Sequence, residues 1–252
     1  MATAAAPWIG TLRERPLHAS LKRWYALPGD RTEVPVDGYV IDLVRPDVLI
    51  EIQTRGLSSA RHKVAALLER GHRLRIVLPV AVELWIVKVD ENGALLGRRR
   101  SPRHGRPGDV FAELVSIARL LPSPALEIDV VLVEIDELRF HAPDGPWRRR
   151  GWTVLERRLI EVLETVQIRG LGDLASLLPP DLPDPFTTAD LALALGCPRR
   201  LAQQAAYCLR VAEVIDVAGK RRHAVEYRLA ATRGGSAAID SMGGMRATQP
   251  RA

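Results

Sequence analysis

Cysteine is nearly absent from this chain: Cys197 and Cys208 are the only two in 252 residues. Both fall in one expected helical unit without matching His or Cys spacing, so neither a disulfide framework nor a zinc site is supported, and buried reduced thiols are expected. Long apolar runs are missing as well. The two most apolar stretches are interrupted by Pro79 and Glu83, and by Glu127, Asp129 and Glu134, and fall short of the roughly 18–20 residues of a membrane-spanning helix. Met1–Gly10 lacks a basic start and a long apolar centre, so it does not read as a signal peptide, and a cytoplasmic protein with no membrane partner is expected. The glycine loops that cradle nucleotide phosphates, Gly-x-Gly-x-x-Gly and Gly-Lys-Ser/Thr, are absent, which argues against a kinase, an ATPase or a nicotinamide enzyme. His62, His72, His104, His141 and His223 have no matched nucleophile, so Ser/His/Asp and Cys/His chemistry is not indicated either.

What is present is a folding composition, 47% hydrophobic and 26% charged, long enough for one large domain or two modest ones. The basic side is almost all arginine, with lysine confined to Lys22, Lys63, Lys88 and Lys220, and the net charge is +6. Arg98, Arg99, Arg100, Arg103 and Arg106 occur with no acid among them, and Arg148–Arg150 and Lys220–Arg222 make two further knots. Clusters of this kind suit a polyanion, so nucleic acid is the leading partner class; solvated loops are the plainer alternative.

Leu17, Leu21 and Trp24 recur at helical spacing after Pro16, which predicts a helix over Pro16–Ala26. Glu33–Val44, with Asp37-Gly38 inside it, and Val48–Thr54 read as strands joined by Arg45-Pro46-Asp47. Ser58 or Ser59 should cap a second helix to about Arg70, and Leu74–Leu78 and Leu84–Val89 read as two buried strands. The expected order is therefore α-β-β-β-α-β-β, a mixed α/β unit. A basic loop after Asn92-Gly93, a helix over Asp109–Leu121 and a strand over Leu126–Ile135 complete a first domain, residues 10–143. A linker is expected at Asp144–Gly151, followed by a second domain, 152–230, that opens with a helix over Val154–Val166, and by a disordered tail, 231–252.

Alternation along Val48–Thr54 puts Glu51 and Gln53 on one face of an otherwise apolar strand, and Asp42 sits between Ile41 and Leu43 on the strand before it. A hairpin through Arg45–Asp47 brings the two carboxylates together, where they repel unless a cation lies between them. A hard divalent ion meets that need, bound by the two carboxylates and a backbone carbonyl such as that of Ile52, with positions left for water and a phosphate oxygen. Asp37 and Asp47 read as turn formers.

Asp42, Glu51-Ile52-Gln53 and the helices on either side of them resemble the PD-(D/E)XK nuclease superfamily in its E-x-Q variant. That resemblance covers about Arg13–Asp90 and implies a restriction-endonuclease-like mixed sheet flanked by helices. It further implies that Asp42 and Glu51 ligate Mg²⁺ or Mn²⁺, that Gln53 takes the place of the usual lysine, and that Glu14, near the first helix as in Holliday-junction resolvases, serves a second ion. Arg15-Pro16-Leu17-His18 and Leu21-Lys22 complete a similar opening. Glutamine is neither a cation nor a base; Lys63 or His62 on the next helix could supply the charge, or Lys63 could simply be solvated. Homodimers are common among nucleases of this type.

Near the other end, Thr187 or Thr188 should cap a helix that Gly196 ends, and Pro198 opens a second helix to Arg210 with Arg199, Arg200, Gln203, Gln204 and Tyr207 outward. A β-hairpin with Lys220, Arg221, Arg222 and His223 at its tip comes next. This arrangement resembles a winged helix-turn-helix, an α+β unit whose arginines and glutamines would read DNA bases and whose wing would meet phosphate; protein contact or dimerisation is its other common use. Nuclease-like core plus winged helix is also a layout seen in uncharacterised bacterial proteins. The expected function is a Mg²⁺-dependent DNA endonuclease acting on duplex or branched DNA in repair, recombination or defence, with Arg98, Arg99 and Arg100 holding the backbone. A DNA-binding regulatory or assembly protein without chemistry, and an RNA-processing nuclease, are the other readings.

Overall fold

The computed structural model describes residues 15–54, 56–142 and 151–230. The first helix, α1 (Pro16–Tyr25), carries proline in its first turn and buries Leu17 and Leu21. Strands β1 (Arg31–Val36) and β2 (Tyr39–Val44) form a hairpin across Asp37 and Gly38, both at positive φ (50° and 85°), the backbone a tight two-residue turn demands. Next come β3 (Leu49–Ile52), a 3-10 turn over Leu57–Ala60 and α2 (Arg61–Glu69). This α-β-β-β-α order is the expected one, although the second helix starts from the 3-10 turn without a serine side-chain cap.

The two buried strands expected around Pro79 are one, β4 (Leu74–Val89). On one side β4 pairs in parallel with β6 (Leu126–His141) along its whole length. On the other side β3 pairs with Leu74–Val77 and β5 (Leu95–Arg100) with Trp85–Val89. Pro79 falls in the gap between them, where no ladder needs its missing N–H. The basic segment expected as a loop is thus partly strand, since Arg98–Arg100 belong to β5. The helix expected over Asp109–Leu121 is broken into a 3-10 turn (Pro107–Val110), a short α3 (Phe111–Leu114) and a further 3-10 run (Val115–Leu120).

The largest correction concerns Val154–Val166. It is not a helix but part of β7 (Trp152–Ile168), antiparallel to β6 and the last strand of a seven-stranded mixed sheet ordered β1-β2-β3-β4-β6-β7, with β5 branching off β4. Three bulges interrupt its pairing and leave Leu155, Ile160 and Leu163 without partners on β6. Each inserted residue turns a spacing of two between inward positions into three, so Leu159 and Val162 face the same core cluster with a helix-like period. The segment expected as a linker, Asp144–Gly151, of which 144–150 lie outside the described residues, falls between two strands that pair with each other. β7 thus belongs to the same sheet as β6 rather than opening a second unit with a helix. The expected tail, 231–252, also lies outside the described residues.

After β7 come α4 (Leu171–Ala175), β8 (Phe186–Thr187), α5 (Thr188–Leu195), α6 (Arg199–Val211), β9 (Ile215–Arg221) and β10 (Ala224–Leu229). The three strands form a separate sheet, β8-β10-β9. Thr187 caps α5 by accepting from the Ala189 and Asp190 N–H groups, and Gly196 ends it at φ 58°. α6 lies against α3, with Cys208 Sγ directed at the Phe111 carbonyl oxygen, so its alanines join the core beneath the large sheet.

One face of that sheet packs Ile41, Leu49, Ile76 and Val130 against α2, α3 and α6. The other packs Ile50, Ile52, Val77 and Val131 against Leu17 and Leu21 of α1. The protein is thus mixed α/β, a large mixed sheet flanked by helices. No helix among the described residues is long and apolar enough to cross a membrane.

Candidate functional site

β2 and β3 are antiparallel, with Leu43 opposite Ile50 and Val44 opposite Leu49. The next pair in that register is Asp42 and Glu51. Here the Asp42 carboxylate takes the place of a ladder partner: its Oδ2 accepts the Ile52 N–H at 2.8 Å. From α1, His18 places Nε2 3.2 Å from the same oxygen. From α2, Lys63 Nζ donates to Glu51 Oε1 and to the Val40 carbonyl. Two acids from adjacent strands therefore meet two basic groups, one from each helix layer.

Burial governs the protonation of the pair. Glu51, only 3% exposed, is raised to about 7 by burial first and by the Asp42 charge second, with Lys63 opposing. At Asp42 burial is outweighed by His18, the Ile52 N–H and Lys63, which hold its carboxyl below the ordinary value. The pair thus carries more negative charge than it accommodates comfortably, and its hard oxygen donors fit a divalent cation. Among the described residues no group of three or more His, Cys, Asp and Glu is arranged to hold a metal, so an ion here would rest on two carboxylates, backbone oxygen and water.

Gln53 lies just past the end of β3, its N–H donating to the Val77 carbonyl at 2.9 Å. Among the described residues no hydrogen bond joins its side chain to either carboxylate. Instead it lines a notch of about 390 Å³ in the sheet where β4 has neither β3 nor β5 beside it, together with Leu84, Arg103, Ile135, Glu137 and Arg157. Gly105 closes on the edge of β4 through an N–H to the Ala81 carbonyl at 2.9 Å; a Cβ there would lie 2.5 Å from that oxygen. Glu14 lies outside the described residues. His18 is legible in the sequence only as part of the opening motif, and its position one turn into α1, beside buried Leu17, is the available signal for its approach to Asp42.

The basic residues divide. Arg199, Arg200 and Gln203 are exposed along α6, Gln204 is half-buried, and Lys220 and Arg222 are exposed at the hairpin. Arg221 is committed to Asp190 and Glu226. Arg98 pairs with Asp136 at 3.1 Å and stacks on Trp85, and Arg100 pairs with Glu83, while Arg99 stays exposed. The cluster has no acid within its own sequence, but neighbouring strands supply them. A second buried charged group joins Glu127 and Asp129 of β6 to Arg73, Arg75 and Arg169. Cys208 is buried, its thiol pushed up to about 12 by desolvation.

Residues 15–169 match the family described as Domain of unknown function (DUF8091). The chain belongs to the DUF8091 family. The match spans α1 to the end of β7, so the carboxylates, Lys63 and the notch lie inside the DUF8091 region and α4–β10 outside it. The chain is also similar to a protein of Treponema pallidum (strain Nichols) described as "Uncharacterized protein", 32% identical over 185 residues, 73% of each chain. No solved structure matches it.

Proposed function

We propose that this DUF8091 protein is a divalent-metal-dependent DNA endonuclease with a restriction-endonuclease-like core of the PD-(D/E)XK type and a C-terminal winged helix. The observation that carries the reading is the meeting of Asp42, Glu51 and Lys63. Two carboxylates one register step beyond the last β2–β3 pair, with a lysine ammonium brought to them from the following helix, provide the acidic pair and the cation that this chemistry requires. Lys63 thereby answers the lack of a lysine at position 53.

In this proposal Asp42 and Glu51 hold Mg²⁺ or Mn²⁺, which would supply a water of lowered pKa and offset charge on the phosphate. Lys63 orients that water or the phosphate. The Gln53 amide, in the lining of the notch, hydrogen-bonds the incoming backbone. His18 keeps the Asp42 carboxylate turned toward the site. The exposed residues of α6, Arg199, Arg200 and Gln203, face the duplex, and Lys220 and Arg222 meet phosphate.

A non-catalytic DNA-binding scaffold is the second reading, favoured by Gln53 and by the Lys63 ammonium already lying against Glu51. Cleavage of supercoiled plasmid and of a four-way junction with Mg²⁺, Mn²⁺ or EDTA separates the two. Nicking that needs metal and disappears in Glu51→Ala and Lys63→Ala, with gel-shift binding retained, is expected. Equal DNA binding by wild type and Glu51→Ala with no cutting under any metal would leave only the scaffold.

A further inference from the structure

Beyond the notch the large sheet continues as β5, β4, β6 and β7 side by side, and its two faces carry charge differently. Trp85 lies opposite Arg100 and Asp136, and Asp136 opposite Arg158, which places these residues on one face. Its arginines are matched by acids: Arg98 meets Asp136, Arg100 meets Glu83 and Arg158 meets Glu156, while the Trp85 indole N–H donates to Glu134.

On the other face Ile86 lies opposite Arg99 and Glu137, and Glu137 opposite Arg157; one step along, Lys88 lies opposite Gly97 and Arg139. These rows continue the face of Leu84, Ile135 and Leu159, on which α1 packs. Arg103, in the loop after β5, lines the notch beside Glu137 and Arg157. Glu137 is the one acid at these positions, and it is 3% exposed. It accepts from Arg139 Nε at 2.9 Å and from Arg157 Nε at 3.0 Å. Burial raises its pKa, but the two guanidiniums outweigh burial and hold the carboxyl below the ordinary value. The buried carboxylate thus fixes both guanidiniums in place, and the Arg157 side chain stays 47% exposed, with N–H donors to spare.

The remaining cations are less committed. Lys88 Nζ rests 4.2 Å from the centre of the Trp152 ring. Arg99 reaches only the Arg100 carbonyl, at 3.5 Å, and the Arg103 side chain has no hydrogen bond or ion pair among the described residues. The acids nearest in the fold are already occupied. Asp90, just past β4, closes its own turn by accepting the Asn92 and Ala94 N–H groups, and Asp109 and Glu113, which also line the notch, accept the N–H groups of Arg106 and Leu57.

Arg99 and Arg157 stand three strand spacings apart, roughly 14 Å between backbones, and the cations between and beside them converge on no single point. That layout suits a chain of repeated negative charges and not one small anion. We propose that this face is a track for the sugar–phosphate backbone of DNA, which crosses Arg99, Lys88, Arg139 and Arg157, passes Arg103 and enters the notch, where Gln53 stands two residues from Glu51. The proposal rests on the reading of the substrate as DNA, and adds to it a contact surface separate from α6 and the wing.

Fluorescence anisotropy of a labelled DNA duplex with the full chain in EDTA, over a salt series, tests it, and nicking of supercoiled plasmid with Mg²⁺ is scored on the same proteins. Arg99→Ala and Arg103→Ala, which break no contact to another side chain, should each weaken binding several-fold and lower the log–log salt slope by about 0.9. Arg158→Ala, on the opposite face and held by Glu156, should change neither, and circular dichroism checks that each variant is folded. Wild-type affinity and slope in both Arg99→Ala and Arg103→Ala would overturn the track, as would an equal loss in Arg158→Ala, and either result leaves metal-dependent nicking to stand on its own. Lowered slopes in a protein that never nicks would uphold the track and sink the nuclease. A wild type that binds no DNA would overturn both.

Discussion

Asp42 and Glu51 face each other one step beyond the last paired residues of β2 and β3, yet their carboxyls are driven in opposite directions, Asp42 down and Glu51 up to about 7. Burial pushes both upward, and Glu51 is the more deeply buried. What each receives widens the difference: Asp42 has a backbone N–H and an imidazole, whereas Glu51 has Lys63 and the repulsion of Asp42 itself.

This asymmetry sets a pH dependence in metal-free protein. Glu51 binds its proton more tightly when folded than at the ordinary value of 4.5, so its contribution to stability is complete below pH 4.5 and is lost as pH rises to about 7. Above that, an ionised Glu51 costs up to about 3 kcal/mol. Denaturation midpoints measured in EDTA should therefore fall for wild type relative to Glu51→Gln as pH rises through this window, and Mg²⁺ should restore them. Parallel curves for the two proteins would show that Glu51 carries no such strain.

Asp129 is wholly buried, and its carboxylate lies 2.5 Å from Arg169 Nη1. Burial raises its pKa despite that partner. Arg169→Met should destabilise the fold by about 3 kcal/mol, the lower end for a broken buried pair because Asp129 can take up a proton. Adding Asp129→Asn should recover part of the loss in a thermal-melt double-mutant cycle. An unchanged melting temperature in Arg169→Met would contradict the pair's structural role.

The basic residues should separate in salt titrations of DNA binding followed by fluorescence anisotropy. Lys220→Ala and Arg222→Ala, which remove the exposed cations proposed to meet phosphate, should each reduce the log–log salt slope by about 0.9. Arg221→Ala, which removes a side chain already held by Asp190 and Glu226, should leave the slope as it is. The opposite pattern would take Lys220 and Arg222 off the phosphates.

How much of the fold and site is legible in the sequence depends on how local the determinants are. Asp42 and Glu51 are readable because alternation and a short hairpin between them fix their meeting. Lys63 is readable as a candidate because a helix comes directly after β3, but its contact with Glu51 and Val40 is tertiary. β7 reads as a helix because three bulges in one strand imitate helical spacing, and the bulges exist only against β6. Arg98 and Arg100 look free because their acids, Asp136 and Glu83, lie on other strands.

The packing of α6 on α3 also bears on inheritance. Phe111 belongs to the DUF8091 region, while Cys208, whose Sγ approaches its carbonyl, belongs to the C-terminal part of the chain beyond that region. Arg106 makes a second tie by donating to the Leu195 carbonyl at the end of α5. A lineage that kept the first region and lost the second would bare the side of α3 that α6 now covers, and would have to repaint it with polar residues or find it another cover. Here the two parts share one core, so neither is freely portable, and substitutions on α3 and α6 are bound to answer one another.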